Sequence, residues 1–264
     1  MQQLKSGISK EKAGDTMSSF TFKGVTSTSL DLIITNPIVR PTWQPETEFT
    51  AVIGRPRQNP FTKSWYPNSD LNISAVMADA TPAKVKAIYD ALRGQGQLVI
   101  STAPQEYLEA YAHLPVPEAK ALLMAELPIV FECEPFANAV EPTEYNITTW
   151  TAVSSVTKVV NNGTAFCDPQ IAFTASAATT NIDCNGVRIS VKTPAEIVGA
   201  GYPSTYSITL DCEGELAYYT RPGGQKVACT ECTTGPFPRL HTGDNYIVHS
   251  GVTAASLVMR ERWY

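Results

Sequence analysis

The chain has 264 residues, of which 43% are hydrophobic and 17% charged, and its net charge is −5. That apolar content supports packed cores and excludes a disordered chain, and the length suits two domains of the usual ~100–150 residues. Up to Ile147 there are 12 basic and 16 acidic residues, and from Thr148 there are 8 and 9, so neither half has the basic excess of a nucleic-acid binder.

No apolar run reaches the ~18 residues that cross a bilayer. The longest, Ala121 to Phe131, is broken by Glu126 and Pro128, so no membrane insertion is expected. Residues 1–17 lack the apolar stretch of a secretory signal. They read as a flexible arm, or as an upstream start ahead of Met17, and assembly in a cytosol is expected.

From Phe20 the chain alternates: Phe20, Phe22 and Val25 flank Thr21 and Lys23, with Gly24 marking a turn. A second β-branched run, Leu32 to Ile34, ends at Asn36-Pro37. Trp43, Phe49, Val52 and Ile53 lead to Gly54, then to a loop rich in Pro and Asn over Arg55 to Asp70. Its basic cluster, Arg55, Arg57 and Lys63, reads as a solvated loop. Leu71 to Met77 reads as a strand.

One helix is well marked. Thr81 suits the N-cap and Pro82 the first helical position. Val85, Ile88, Tyr89 and Leu92 form one apolar stripe, and Gly94 suits a left-handed C′ residue. Strand character returns at Leu98 to Ile100 and at Tyr107 to Tyr111. The stretch PEAKALLMAEL is ambiguous between helix and strand. Leu127, Ile129, Phe131 and Cys133 then alternate with Glu132 and Glu134 up to Pro135. Ala137 to Asn146 is polar and is read as the domain boundary, giving an arm over 1–17, a first domain over 18–140 and a second over 148–264.

The second domain reads as almost purely β, without a convincing helix. Asn161-Asn162-Gly163 is a hairpin-type turn. Ile171 and Phe173, Ile182 and Cys184, Val187 to Val191, and Tyr206 to Leu210 mark strands. They are punctuated by Asn185-Gly186 and by Asp211 to Gly214. Ile247, Ala255 to Met259 and Trp263 close the chain. Short strands with regular turns imply an antiparallel sandwich.

Catalytic signatures are missing: no phosphate-binding loop, no nucleophile elbow, no zinc-protease motif, no calcium loop. His113, His241 and His249 are not spaced as ligands, and the last two lack a third partner. Glu132 and Glu134 share a strand face, and Glu213 and Glu215 look like a turn; such pairs more often face solvent or a partner than act as acid and base. Of six cysteines only Cys229 and Cys232 form a C-x-x-C pair, with no second pair for zinc. Buried thiols are expected, with a late disulfide as the alternative. No cofactor or metal is expected.

Four patches resemble the distal tail protein family of long-tailed siphophages, often called Dit. The first is Phe20-Thr-Phe22-Lys-Gly24 with Ser29-Leu-Asp31, similar to the family's opening, although Lys23 stands where Asn is usual and the Gly after Asp31 is missing. The second is Val52-Ile-Gly54-Arg55, followed here by Pro56. The third, Val130-Phe131-Glu-Cys133-Glu-Pro135-Phe136-Ala137, matches the strand that ends the family's first domain. The fourth is Gly235 to Asn245 with Gly243-Asp244-Asn245 before the final strands, and the terminal Arg262-Trp263. The patches keep the family's order and span Phe20 to the end of the chain.

The resemblance implies a mainly β protein. Its first domain would be a barrel-like sheet with one helix that closes into a ring, typically of six copies. Its second would be a galectin-like or carbohydrate-module-like antiparallel β-sandwich. It implies a structural, non-enzymatic hub in the virion tail tip, assembled in the bacterial cytoplasm. Expected partners are further copies of itself, the tail tube protein, the tail-associated fibre or hub protein, the tape measure and receptor-binding proteins. The alternative is a carbohydrate-binding module of a host-attachment device, with Tyr202, Tyr206, Tyr218, Tyr219 and Trp263 as stacking candidates. A cell-wall hydrolase is the third reading.

Overall fold

The computed structural model describes residues 18–50, 59–62, 66–78, 80–114, 124–147 and 156–264. In chain order come β1 (Phe20–Phe22), β2 (Val25–Thr26), β3 (Leu32–Ile34), β4 (Thr47–Thr50), β5 (Asn59–Thr62), β6 (Ser69–Ala78), helix α1 (Pro82–Leu92), β7 (Gly94–Ile100), β8 (Ala103–His113), β9 (Met124–Cys133), β10 (Ala137–Ala139) and β11 (Thr143–Ile147). Then follow β12 (Thr157–Asn161), β13 (Gln170–Ala175), β14 (Thr179–Cys184), β15 (Val187–Lys192), helix α2 (Ala195–Gly199), β16 (Ser207–Asp211), β17 (Leu216–Thr220), β18 (Lys226–Ala228), β19 (Thr233–Thr234), β20 (Gly243–Ser250), β21 (Val252–Met259) and β22 (Arg262–Trp263). The chain is mainly β, as its alternating pattern implies. Two packing units interleave along it. The first takes residues up to Pro41, Asp70–Thr102 and Ala110–Glu132; the second takes Thr42–Ser69, Ala103–Glu109 and Cys133–Tyr264.

The first unit is built on a curled, half-barrel sheet in the order β2-β1-β7-β8-β9-β6-β3, of whose β8 it takes the end from Ala110. Period-2 alternation buries Leu71, Ile73, Ala75 and Met77 of β6 and Leu127, Ile129 and Phe131 of β9. Each such large side chain contributes about 1.5–3 kcal/mol of burial. The rings of Phe20 and Phe22 both meet Phe131, with centroids 5.4 and 5.1 Å away.

The β1–β2 turn is Lys23-Gly24, both at positive φ (51° and 80°), the type I′ geometry of a two-residue hairpin. Lysine is a costly choice there, and local contacts offset it. Lys23 Nζ donates to the Arg93 carbonyl at 3.0 Å, at the end of α1. Its stem runs over Gly96, where a Cβ would collide with it. A cation on a terminal helical carbonyl is favourable.

Helix α1 follows its sequence signals. Thr81 Oγ1 accepts from the Lys84 amide at 3.3 Å, Ile88 and Leu92 are buried, and Gly94 takes φ 91°. Thr81→Ala is expected to cost about 1 kcal/mol, read from the midpoint of urea unfolding.

The second unit contains a sandwich of two antiparallel sheets, β11-β21-β13-β16-β17-β18 and β12-β20-β14-β15-β19. Their inner faces supply one core, including Ile171 and Phe173, Ile208 and Leu210, Ile189 and Val191, Ile247 and Leu257. Asn185 (φ 54°) and Gly186 (φ 85°) close the β14–β15 hairpin as expected.

Three expectations change. Asn161-Asn162-Gly163 is not a hairpin, because β12 pairs with the distant β20, from Thr157↔Ile247 to Asn161↔Gly243. The polar stretch 137–146 carries β10 and most of β11, and β11 pairs along β21 from Thr143↔Met259 to Ile147↔Ala255; Pro142 falls between the two strands, where its missing N–H costs no ladder bond. The sandwich also holds a short helix, α2, which buries Ile197 in its core. In the ambiguous stretch, residues 117–123 lie outside the described residues, and strand β9 starts at Met124.

Candidate functional site

The C-terminal strand borders a cleft whose lining residues all belong to the second unit. β22 pairs with β10 (Ala137↔Trp263, Asn138↔Arg262), and β10 pairs with β8 (Asn138↔Tyr107, Ala139↔Glu106). On the other side of β22, the Ala165 amide donates to the Arg262 carbonyl at 3.0 Å. Gly163 must be glycine for this approach, since a Cβ would strike the Arg262 backbone.

Arg262 is only 14% exposed, and each of its three guanidinium nitrogens has a partner. Nη1 meets Asp168 at 3.1 Å, Nη2 meets Glu213, and Nε donates to Asn138 Oδ1 at 3.2 Å. Asp168, 9% exposed, also accepts from Arg239 Nε at 2.8 Å. Arg260 Nη1 donates to the carbonyls of Ala139 and Val140 at 3.1 and 2.9 Å. Asn138, Asp168, Glu213, Arg260 and Arg262 border a cleft of about 530 Å³, whose wall adds Tyr107, Glu109, Glu134, Phe136 and Asp211.

Phe136 carries φ 74°, rare for a bulky residue. It is held by three rings, Tyr66, Tyr264 and Phe166, at 5.0, 5.2 and 5.8 Å. Arg239 lies 4.3 Å over the Phe166 ring, so the aromatic and ionic groups form one assembly.

A second polar cluster pins α2 to β17. Glu196 accepts from Arg221 Nε and Nη2 at 2.9 and 2.7 Å, from Tyr219 at 2.7 Å and from Tyr206 at 3.1 Å. The Arg221 hydrogen bonds, then that of Tyr219, hold the Glu196 carboxyl down to about 2. A carboxyl lowered in the folded state stabilises above its unfolded range, near ~4.3, and that contribution fades as pH falls toward ~2. Glu196→Gln is therefore expected to lower the urea midpoint at pH 7, with the gap to the parent chain narrowing at pH 3.

None of the six cysteines is in a disulfide. Burial pushes Cys167 up to about 12, Cys184 to about 11 and Cys229 to about 12, and it also raises Cys232. The Cys229/Cys232 pair is thus held protonated, the opposite of what a redox nucleophile needs. Among the described residues no group of three or more His, Cys, Asp or Glu could hold a metal.

The residues singled out by sequence fall into separate settings. Phe22, Phe131 and Cys133 are fully buried. Gly24 makes its hairpin, and Asp31 takes φ 55° after a 3-10 turn (Thr28–Leu30) and pairs with Lys84 at 3.2 Å. Gly54 and Arg55, with Arg57 and Lys63, lie outside the described residues. Pro135, Phe136 and Arg262 line the cleft, and Trp263 pairs on β10. Gly243 takes φ 82°, Asp244 pairs with Lys158 at 2.7 Å, and Asn245 is fully buried.

Glu132 meets His113 Nε2 at 3.0 Å. The sugar-stacking candidates do not form one platform. Tyr206 and Tyr219 hold Glu196, Tyr202 packs on the sandwich core, and Tyr218 lies under Lys226 Nζ at 4.5 Å. Asp168, Arg239 and Arg260 were not singled out by sequence. Their one signal is Arg260 and Arg262 in period 2 at the chain end, in a protein sparing of charge.

No family model matches the chain, and no curated protein matches it. Among solved structures it is similar to the crystal structure of the Dit protein (gp 19.1) of phage SPP1, described as a paradigm of the hub adsorption apparatus in phages that infect Gram-positive bacteria. The two share 16% identity over 94% of this chain and 99% of that one, with a TM-score of 0.72. The chain therefore has the Dit fold.

Proposed function

We propose that this chain is a structural hub subunit of a phage tail tip. The observation that carries the reading is the likeness of fold over 94% of this chain to a hub adsorption protein. The four sequence patches, which follow the order seen in distal tail proteins, support it. In this reading the first unit closes into a ring, typically of six copies, between the tail tube and the baseplate. The chain assembles in the bacterial cytoplasm and resides in the virion. Its partners are the tail tube protein, the tail-associated fibre or hub protein with the tape measure, and receptor-binding proteins. A six-membered ring requires heterologous contacts that close on themselves.

The reading is non-enzymatic. Two carboxylates of the cleft, Asp168 and Glu213, are bound to arginines that hold the terminal strand in place. Their chemistry serves cohesion, whereas hydrolysis requires an acid and a base free to exchange protons with substrate.

Native mass spectrometry and negative-stain imaging of the full chain test the proposal. The expected result is a closed ring at six times the 28.6 kDa of one chain, and labelling of the tail tip by antibody in intact particles. A monomer at high micromolar concentration that also ignores tail tube protein would overturn it.

A further inference from the structure

The Cys229/Cys232 pair lies where the sandwich changes sheets. β18 ends one sheet and β19 ends the other. A single 3-10 turn, Thr230–Cys232, carries the chain between them, with Cys229 as its N-cap. Both sides of the crossing are anchored. The Cys229 amide donates to the Ala217 carbonyl of β17 at 2.8 Å, and Thr230 Oγ1 accepts from the Ala217 amide at 2.9 Å. Beyond the turn, Thr233 pairs with Val191 of β15, and its Oγ1 donates to the Thr230 carbonyl at 2.7 Å.

The turn brings the two cysteines within bridging distance. The Cys232 amide donates to the Cys229 carbonyl at 2.9 Å, which closes the turn. A 3-10 turn rises ~2.0 Å per residue and eclipses residues three apart, so the two Cα atoms stand ~6 Å apart, inside the ~4.4–6.8 Å that a disulfide spans. Both side chains pack on the same core, Cys229 at 1% exposure and Cys232 partly exposed at its rim. Burial, and after it the neighbouring Cys232, hold the Cys229 thiol up. Burial also raises Cys232, but Lys192 works the other way and favours its thiolate. The remaining four cysteines, Cys133, Cys167, Cys184 and Cys212, are all buried.

We infer that Cys229 and Cys232 form a bridging site, which a low-molecular-weight disulfide such as glutathione disulfide closes to clamp the step between the two sheets. The Cys232 thiolate attacks one sulfur of the small disulfide and expels one thiolate. Cys229, on losing its proton to water, attacks Cys232 Sγ and expels the second. The protein gives up two electrons and two protons, and the small disulfide becomes two thiols. Raised thiols disfavour repeated redox turnover, but closure needs each thiolate only once. A reducing cytosol keeps the pair open and an oxidising medium closes it. A lone chain suffices for this, whatever it assembles into.

Exposure of the folded full chain to glutathione disulfide in mildly alkaline buffer, then alkylation in urea and peptide mass spectrometry, tests the site. The expected result is one bridge, Cys229 to Cys232, with the loss of two hydrogens, while Cys133, Cys167, Cys184 and Cys212 are alkylated. The bridged chain should unfold at a higher urea midpoint than the reduced chain, because the bridge restricts the unfolded ensemble. Cys232→Ser, which alters the partly exposed partner and leaves the core thiol in place, should show no such rise after the same treatment. Six alkylated cysteines, Cys232 held as a glutathione adduct, a bridge to any other cysteine, or a bridged chain no more stable than the reduced one would overturn the inference.

Discussion

Arg262→Met is expected to lower the stability of the second unit by about 3 kcal/mol, toward the lower end of what breaking a buried ion pair costs. The methionine fills much of the same volume, so the loss comes from the charges left behind. Asp168 is 9% exposed and would keep only Arg239, whose own side chain is 54% exposed. Glu213, by contrast, is 71% exposed and returns to water at little cost. The asymmetry makes the prediction specific. Asp168→Asn in the Arg262→Met background should restore part of the stability, because it removes the stranded charge. Glu213→Gln in the same background should not. A double-mutant cycle from urea unfolding measures both couplings. A single-mutant cost below about 1 kcal/mol, or additive behaviour of Arg262 and Asp168, would show that the network does not hold β22.

That network also marks the limit of sequence reading. The β character, the α1 stripe and the Asn185-Gly186 hairpin were legible because each is written in neighbouring residues. Leu71 to Met77 alternates with period 2, and Thr81-Pro82 caps its own helix. The partners of β12 and β22 were not legible. Asn161 pairs with Gly243 and Arg262 with Asn138, across 82 and 124 positions, and nothing local to either strand names the other. The local signal at Asn161 to Gly163 pointed to a hairpin, and tertiary context overrode it. Glycine is needed there for another reason, the passage of the Arg262 backbone over Gly163. The candidate site shares this difficulty. Asp168, Glu213 and Arg262 meet only after three separate strand ends come together, so Asp168 drew no notice, Glu213 read as part of a turn, and Arg262 was marked only by the family resemblance.

Asn245→Leu is the second large effect, expected at about 3–5 kcal/mol from several buried groups left unpaired at once. In sequence, Gly243-Asp244-Asn245 reads as a turn in which Asn tolerates positive φ. Only Gly243 takes that conformation, at 82°. Asn245 sits in the β12–β20 ladder opposite Val159, and its side chain does the work of the turn from inside. Oδ1 accepts from the His241 amide at 2.9 Å and from Asn185 Nδ2 at 2.8 Å. Nδ2 donates to the carbonyls of His241 at 2.8 Å and Gly243 at 3.0 Å. All four hydrogen-bonding positions of the amide are used. Asn185 in turn accepts from the Tyr246 amide at 2.8 Å, so the bond between the two asparagines ties the β14–β15 hairpin to β20.

Asn245→Asp separates hydrogen bonding from shape. Aspartate keeps the two acceptor bonds but turns a carboxylate oxygen toward two carbonyls. Burial and that repulsion raise its folded pKa above the unfolded ~3.9. A group raised in the folded state stabilises below its unfolded pKa and loses that contribution as pH rises through the folded value. The cost of Asn245→Asp relative to the parent chain, each measured by urea unfolding at the same pH, should therefore be smaller at pH 4 than at pH 7. Equal costs at the two pH values, or a Leu variant as stable as the parent, would mean that the amide is not what joins β20 to the β14–β15 turn.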